Sequence, residues 1–434
     1  MAVVRKNGGG LRTAFTLTDQ LVSSASNFAL GVLVARTGGP DALGAFSIAF
    51  LAWLAIMGAN RALVAEPMII AGRPEGAESD PDRGLPSALL VGGLAAAALV
   101  LIGGGLHAFG VPQTALLALA PWIPSLLAQD YFRWMAFRLQ RPQQALISDV
   151  VFIAVQAAVT WGLFMFGQLN VGALIAAWGI GATAGAVVGF AICGERKRVL
   201  RNGAVHLREL WCRSRWLLAE FATSFVATQG YLILLPILLS TSEFGLYRAG
   251  ASLITPVALL FTVALNVGLP ESVRRLRADG PPGVRAHAAR LTTVVVAVTI
   301  GYCGIIALIA PALLPFVYGD EFAEADIITL LTAISYAISS SYVGYCIALK
   351  AVGELQHLWT LRVLSAAASI VSTVLLAKSF GLVGAGYASI LADSVYAVGA
   401  IALYYRTFNQ AGRPGQSGSR SSQPDDAPSR GKSG

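Results

Sequence analysis

The sequence predicts an all-α polytopic membrane protein of about 12 transmembrane helices, set as two pseudo-symmetric six-helix bundles around a central cavity. Three observations predict it. Of the 434 residues 56% are hydrophobic and only 12% charged, whereas soluble chains are roughly one quarter charged. The apolar residues fall in continuous runs of about 20, enough to cross ~30 Å of hydrocarbon. A set of polar residues also recurs 201 positions later.

The runs occupy 14–35, 42–64, 86–108, 114–137, 144–166, 169–193, 216–240, 244–268, 291–317, 323–349, 356–378 and 381–404. In lipid every backbone polar group needs an internal partner, so such runs are helices. A barrel would show weak alternation instead. Turn residues separate the runs: Gly38-Gly39-Pro40, Gly110 and Pro112, Gly167, Gly280-Pro281-Pro282 and Gly381. Arg5, Lys6 and Arg12 before the first run resemble a signal peptide. The run itself holds Asp19, Gln20, Ser23, Ser24, Ser26 and Asn27 with no clean cleavage site, so it is read as a retained helix.

Basic residues set the orientation. With the N-terminus inside, the inner segments hold 25 of the 31 Lys and Arg residues and the outer segments only Arg36 and Lys378. The acidic segment Asp320, Glu321, Glu324 and Asp326 falls outside. The expected location is therefore the cytoplasmic membrane, multi-pass, with both termini cytoplasmic. Inner-face loops account for the net charge of +8, so no nucleic-acid partner is implied. The cysteines (193, 212, 303, 346) and histidines (107, 206, 287, 357) are scattered, which implies neither a disulfide frame nor a metal site. No GxxxxGK[ST] loop is present, which argues against ATP hydrolysis, and no cofactor is expected.

Domain organisation follows: a first bundle at 1–200, a linker helix with the second bundle at 201–405, and a tail at 406–434. In the linker Leu207, Leu210 and Trp211 recur at helical spacing among Arg208, Arg213 and Arg215, the pattern of an amphipathic helix on an anionic leaflet. The tail is rich in Gly, Ser, Pro and Arg, a composition that favours disorder.

The repeat aligns Asp19, Ser23 and Asn27 with Glu220, Ser224 and Thr228, and Gly44 and Phe46 with Gly245 and Tyr247. Spacing i, i+4, i+8 puts each polar set on one helix face. A carboxylate facing lipid is costly, so the face should point to a wet or protein-lined interior. Two six-helix halves in the same orientation relate by an axis along the membrane normal.

Three stretches resemble a known family: Asp19-Gln20 through Gly44-Ala45-Phe46, Asn60-Arg61-Ala62-Leu63-Val64-Ala65-Glu66-Pro67, and Gln129-Asp130-Tyr131-Phe132-Arg133 through Arg141-Pro142 to Asp149. They resemble the multidrug/oligosaccharidyl-lipid/polysaccharide exporter (MOP) superfamily, in its polysaccharide-flippase branch. The resemblance implies two bundles around a cavity and flipping of undecaprenyl-diphosphate-linked sugars by alternating access, with no covalent chemistry. Implied partners are the lipid-linked sugar, membrane lipids, and glycosyltransferases or a polymerase of the same pathway.

On that basis Arg61, Arg133, Arg138 and Arg248 are candidates to bind the diphosphate, since Arg can grip phosphate with two donors. Against this, Arg61 could be an interfacial snorkelling residue, and Asp130 and Arg133, one turn apart, could neutralise each other. Glu66 and Asp149 are supporting carboxylates. Asp19 and Glu220 are candidates for ion coupling, or else structural hydrogen-bond partners of Ser23 and its neighbours, with Asn27, Ser224 and Thr228 on the same faces. Arg362 and Asp393 are an expected pair in the second bundle. Ser339-Ser340-Ser341, Tyr342 and Tyr345 could line a sugar path, but small polar residues also pack helices closely, and that reading is preferred. A cation-coupled drug antiporter of the same fold remains the main rival. A membrane polysaccharide polymerase or ligase is the weaker one, because the outer loops are short.

Overall fold

The computed structural model describes residues 7–67, 84–108, 114–139, 141–193 and 203–410, with side chains of 24–67, 84–108, 114–139, 141–192, 211–212 and 214–409. Asp19 and Ser23 lie in a described helix, but their side chains lie outside the described set, as do Arg73, Arg83, residues 194–202 and the tail from 411. Eight helices are long and apolar enough to cross a membrane. Three of them, at Ser24–Ala65, Val257–Tyr318 and Leu355–Asn409, belong to helices of 54, 62 and 56 residues. A straight helix of that size would run over about 80 Å, far beyond a bilayer of ~40–45 Å. Each turns back at a non-helical glycine: Gly38-Gly39, Gly280 or Gly381. Gly39 and Gly280 sit at φ of 67°, where a side chain would be strained.

Twelve crossings result among the described residues. They are α1 (7–37), α2 (40–60), α3 (Gly84–Ala108), α4 (114–138), α5 (Pro142–Met165), α6 (Val171–Cys193), α7 (Gly203–Leu238), α8 (241–279), α9 (281–318), α10 (326–351), α11 (355–380) and α12 (382–410). Several are broken. A π-helical turn, Arg61–Ala65, follows α2, and Ala120–Trp122 forms a 3₁₀ turn inside α4. α8 is interrupted at Thr255-Pro256 and α10 at Ser341-Tyr342. The last two helices are an antiparallel hairpin, in which Ser365 donates to the carbonyl of Ala392 and Ser372 to that of Ala388.

The expected linker helix is not separate. α7 is one continuous helix from Gly203, so the amphipathic turns around Trp211 and Trp216 are its opening. The reason is geometric: its first half already has a packing surface in the first bundle. Buried Ser214 donates to the Leu63 carbonyl at 3.0 Å, and Phe221 lies on Gly58 of α2. The second half of α7 joins the core of the second bundle through Leu232 and Leu235.

Within the first bundle small residues allow close approach. On α6, Gly181, Gly185 and Gly189 lie against Phe152, Gln129 and Phe132. Trp178 packs edge-on against Trp53, with ring centres 5.8 Å apart.

The bundles meet at a seam. A Cβ on Gly44 would overlap the carbonyl oxygen of Thr241, and one on Gly245 would overlap that of Pro40. Both pairings map onto each other under the 201-residue shift, so α2 and α8 touch as pseudo-symmetric mates. This is the isologous contact of a two-fold axis. Arg36 reinforces it by donating to the carbonyls of Val317 (2.8 Å) and Phe316 at the end of α9. At this seam end one buried core runs across both bundles, from Leu30, Val34 and Phe46 to Leu253, Leu314 and Phe322. At the opposite end each bundle has its own core, around Tyr131 and Met135 in the first and Tyr404 and Phe408 in the second. The bundles are thus joined at one end and separated at the other, apart from the α7 bridge.

Overpacking a tight contact costs about 1–3 kcal/mol. Gly245→Val should therefore lower the melting temperature in detergent by several degrees. Gly304→Val, at a site with nothing within 4 Å, should be close to neutral. Equal melting curves would show that the seam yields without cost.

Candidate functional site

The π-helical turn after α2 carries Arg61 into the first bundle. There Nε donates to Asp130 Oδ2 at 2.9 Å and Nη2 to Oδ1 at 2.5 Å, a two-point fork onto α4. A π turn widens the helix by one residue and re-aims side chains, and such turns are common at functional sites. The guanidinium also lies 5.5 Å from the Trp134 ring centre. Asp130 is buried while the Arg61 side chain keeps 26% exposure. Five N–H groups surround a guanidinium, so about three remain for another acceptor.

The sequence reading set Asp130 against Arg133. The structure gives Asp130 to Arg61 and places Arg133 Nε 3.5 Å from Asp149 Oδ2 on α5. Shape decides this correction. A carboxylate on a facing helix, opposite a planar fork, takes both bonds at once. Gln129 completes the arrangement by donating to Asp149 Oδ1 at 2.6 Å. Among the described residues two arginines and two aspartates therefore meet in the interior of the first bundle. Arg138 is half-buried in the last turn of α4. It is not drawn into the Arg61 fork.

Glu66 is half-buried and Glu220 of α7 is exposed, and the two are within electrostatic range of each other. Asn27 is half-buried; Ser224 and Thr228 are exposed, and Thr228 bonds back to the Ser224 carbonyl at 2.9 Å. The pairing of Asp19 with Glu220 lies outside the described side chains.

In the second bundle Arg248 of α8 is half-buried and makes no ion pair or hydrogen bond among the described residues. Its surroundings are tyrosines: 231, 247, 318 and 336 all lie within its electrostatic range. The expected Arg362–Asp393 pair does not form. Arg362 lies over the Tyr396 ring at 4.5 Å, and Asp393 accepts a hydrogen bond from Ser335. An aromatic face and a nearby hydroxyl satisfy the two groups separately, and Arg362 stays exposed.

Trp134, Ser214, Tyr231, Tyr318, Tyr336 and Ser335 carry no motif that singles them out in the sequence, and Gln129 stands out only within its motif; Tyr247, Tyr342 and Tyr345 are the tyrosines the sequence does bring forward. The excess of tyrosine in the second half was the one available signal.

Two facing six-helix bundles, charged inside and closed at one end, define a multi-pass helical membrane architecture. The chain shares this fold with solved transporters, one of them of the MOP superfamily. It superposes on the lipid II flippase MurJ in an inward closed conformation with a TM-score of 0.67 and 13% identity, over 92% of this chain and 89% of that one. An inward-facing MATE-family multidrug resistance transporter gives 0.65 at 11%, over 89% and 94%. An outward-facing one gives 0.53 at 13%, over 92% and 95%. At such identities the shared property is the fold. No family model and no curated protein matches the sequence.

Breaking one side of a buried charge pair costs more than removing both. Asp130→Leu alone should destabilise the protein by a few kcal/mol, to order of magnitude. Arg61→Met with Asp130→Leu should recover part of the loss. A double-mutant cycle on detergent melting curves with no coupling would remove the pair from the structural core.

Proposed function

We propose that the protein is a flippase for undecaprenyl-diphosphate-linked oligosaccharide, working by alternating access in the cytoplasmic membrane with both termini on the cytoplasmic side. The observation that carries this reading is Arg248, a half-buried guanidinium in a membrane helix with no acidic partner among the described residues. A charge in that position is expensive unless something neutralises it, and an anionic headgroup would supply the missing countercharge. Arg61, with donors to spare, and the neighbouring Arg133 and Arg138 are the proposed receiving cations at the other end.

Orientation follows from two further points. The separated end carries the basic residues Arg138, Arg141, Arg274, Arg275 and Arg277, as cytoplasmic ends do. The likeness is also higher to inward-facing than to outward-facing transporter structures. The seam is then the closed outer side. The diphosphate would dock at Arg61 while the polyprenyl tail stays in the bilayer. Parting of Gly44 from Thr241 and of Gly245 from Pro40 would open the outer side. Binding and reorientation are the whole cycle, so no bond is made or broken. Glycosyltransferases and a polymerase of the same pathway are the proposed partners.

The drug-antiporter reading retains one supporting observation, the acidic Glu66 and Glu220 near the separated end. Proteoliposomes with a fluorescent undecaprenyl-diphosphate sugar decide between the two. Native protein should speed lipid flipping over empty vesicles, and Arg248→Ala should slow it at least tenfold without losing the fold. Proton-driven uptake of ethidium with no lipid movement would overturn the flippase reading.

Ion coupling through Asp19 and Glu220 has a separate readout. Asp19→Asn combined with Glu220→Gln should abolish any response of flux to an imposed pH gradient. A full response in that variant rules out these two carboxylates.

A further inference from the structure

The second bundle contains a cluster that the charged network of the first does not use. Of 12 tyrosines, all but Tyr131 lie at or beyond Tyr231. Several converge from four helices. Tyr231 of α7 meets Tyr247 of α8 edge to face, with ring centres 6.4 Å apart. Tyr336 of α10 stacks on Phe261 at 5.9 Å. One helical face of α10 presents Ser335, which donates to Asp393 of α12, and Ser339, which is within reach of the same carboxylate and accepts from Tyr342 at 3.2 Å. Tyr231 and Tyr336 are each in electrostatic range of both Arg248 and Asp393.

Three features separate this cluster from ordinary polar packing between helices. Tyr231, Arg248, Tyr336 and Asp393 come from four helices, α7, α8, α10 and α12, and each is half-buried, so none is sealed in the core. The guanidinium and the carboxylate are not spent on each other, and Arg362, the other candidate partner of Asp393, is turned onto Tyr396. Both α8 and α10 are broken nearby, at Thr255-Pro256 and Ser341-Tyr342. Interrupted membrane helices tend to line binding sites.

The chemistry suits a sugar ring better than an apolar cation. A pyranose has a face of C–H groups and a rim of hydroxyls. Tyrosine ring faces carry partial negative charge and can stack on the C–H face. A carboxylate accepts from two hydroxyls, and a guanidinium donates to ring and hydroxyl oxygens.

We propose that Tyr231, Arg248, Tyr336 and Asp393 bound a crevice that serves as a glycan subsite. The assignment rests on the lipid-linked sugar reading above. Position supports it. Arg248 lies three residues beyond Gly245 of the seam and Arg61 seventeen beyond Gly44. At 1.5 Å rise per residue the two arginines are roughly 20 Å apart along the membrane normal. With the diphosphate at Arg61, a single sugar falls short of the crevice and an oligosaccharide reaches it.

Full-length protein in lipid nanodiscs tests this with three probes: undecaprenyl diphosphate, the same lipid with one N-acetylglucosamine, and the same lipid with a chitin-type tetrasaccharide. The tetrasaccharide lipid should bind at least tenfold more tightly than the single-sugar lipid. Asp393→Asn and Tyr336→Ala should erase that gain and leave binding of the sugar-free lipid unchanged, while Tyr336→Phe keeps most of it. If the gain survives both variants, or all three lipids bind wild type equally, the subsite is overturned and the flippase reading stands. A variant effect confined to dependence on Na⁺ would also overturn it, by making the crevice a cation site. If no lipid binds the wild-type protein, the flippase reading falls, and the subsite with it.

Discussion

The fold depends on the contact between Gly44 and Gly245 and the backbones opposite them. Only residues without a side chain let α2 and α8 approach so closely, and both ends of the contact obey the same 201-residue relation. This contact makes the two halves face each other as mates, joins their apolar cores at one end, and leaves the other end with two separate cores. Arg36, reaching the last carbonyls of α9, holds the corner beside it. The site follows from this arrangement. Arg248 is one turn below the seam on α8, and Arg61 ends the same helix that carries Gly44.

Charge inside the first bundle is managed by pairing. Arg61 with Asp130, and Arg133 beside Asp149 with Gln129 donating to it, set two positive against two negative side chains among the described residues. Such pairs contribute modestly to stability, because desolvation offsets most of their attraction. Their value is geometric: they fix where the guanidinium edges point. In the second bundle hydroxyls and aromatic faces take the place of paired charges, so the two halves share a backbone plan and differ in chemistry.

Much of the fold was legible in the sequence because bilayer thickness imposes a length on apolar runs, and because Gly38-Gly39-Pro40, Gly280 and Gly381 interrupt them where the chain must turn. The repeat was legible for a related reason. A backbone contact tolerates only glycine, so Gly44 and Gly245 keep their identity at matching positions. Residue pairing was not legible. Asp130 is one turn from Arg133 in sequence, but its partner is Arg61, 69 positions away; a two-point grip depends on helix placement, which hydropathy does not encode. The expected amphipathic segment is helical but continuous with α7, because no turn residue separates Trp211 from the apolar run that follows it. Asp393 was given to Arg362 by sign alone, where the structure satisfies it with Ser335.

The pairing in the first bundle also has an electrical consequence. Arg61, Asp130, Arg133 and Asp149 sum to zero, so rocking that bundle carries no net charge from these groups through the transmembrane field. A membrane potential acts with about 2.3 kcal/mol per elementary charge per 100 mV. It would therefore pull on any charged cargo and on any unpaired side chain that moves with it, far more than on this paired framework. The voltage sensitivity of a turnover would accordingly report the charge of what is carried.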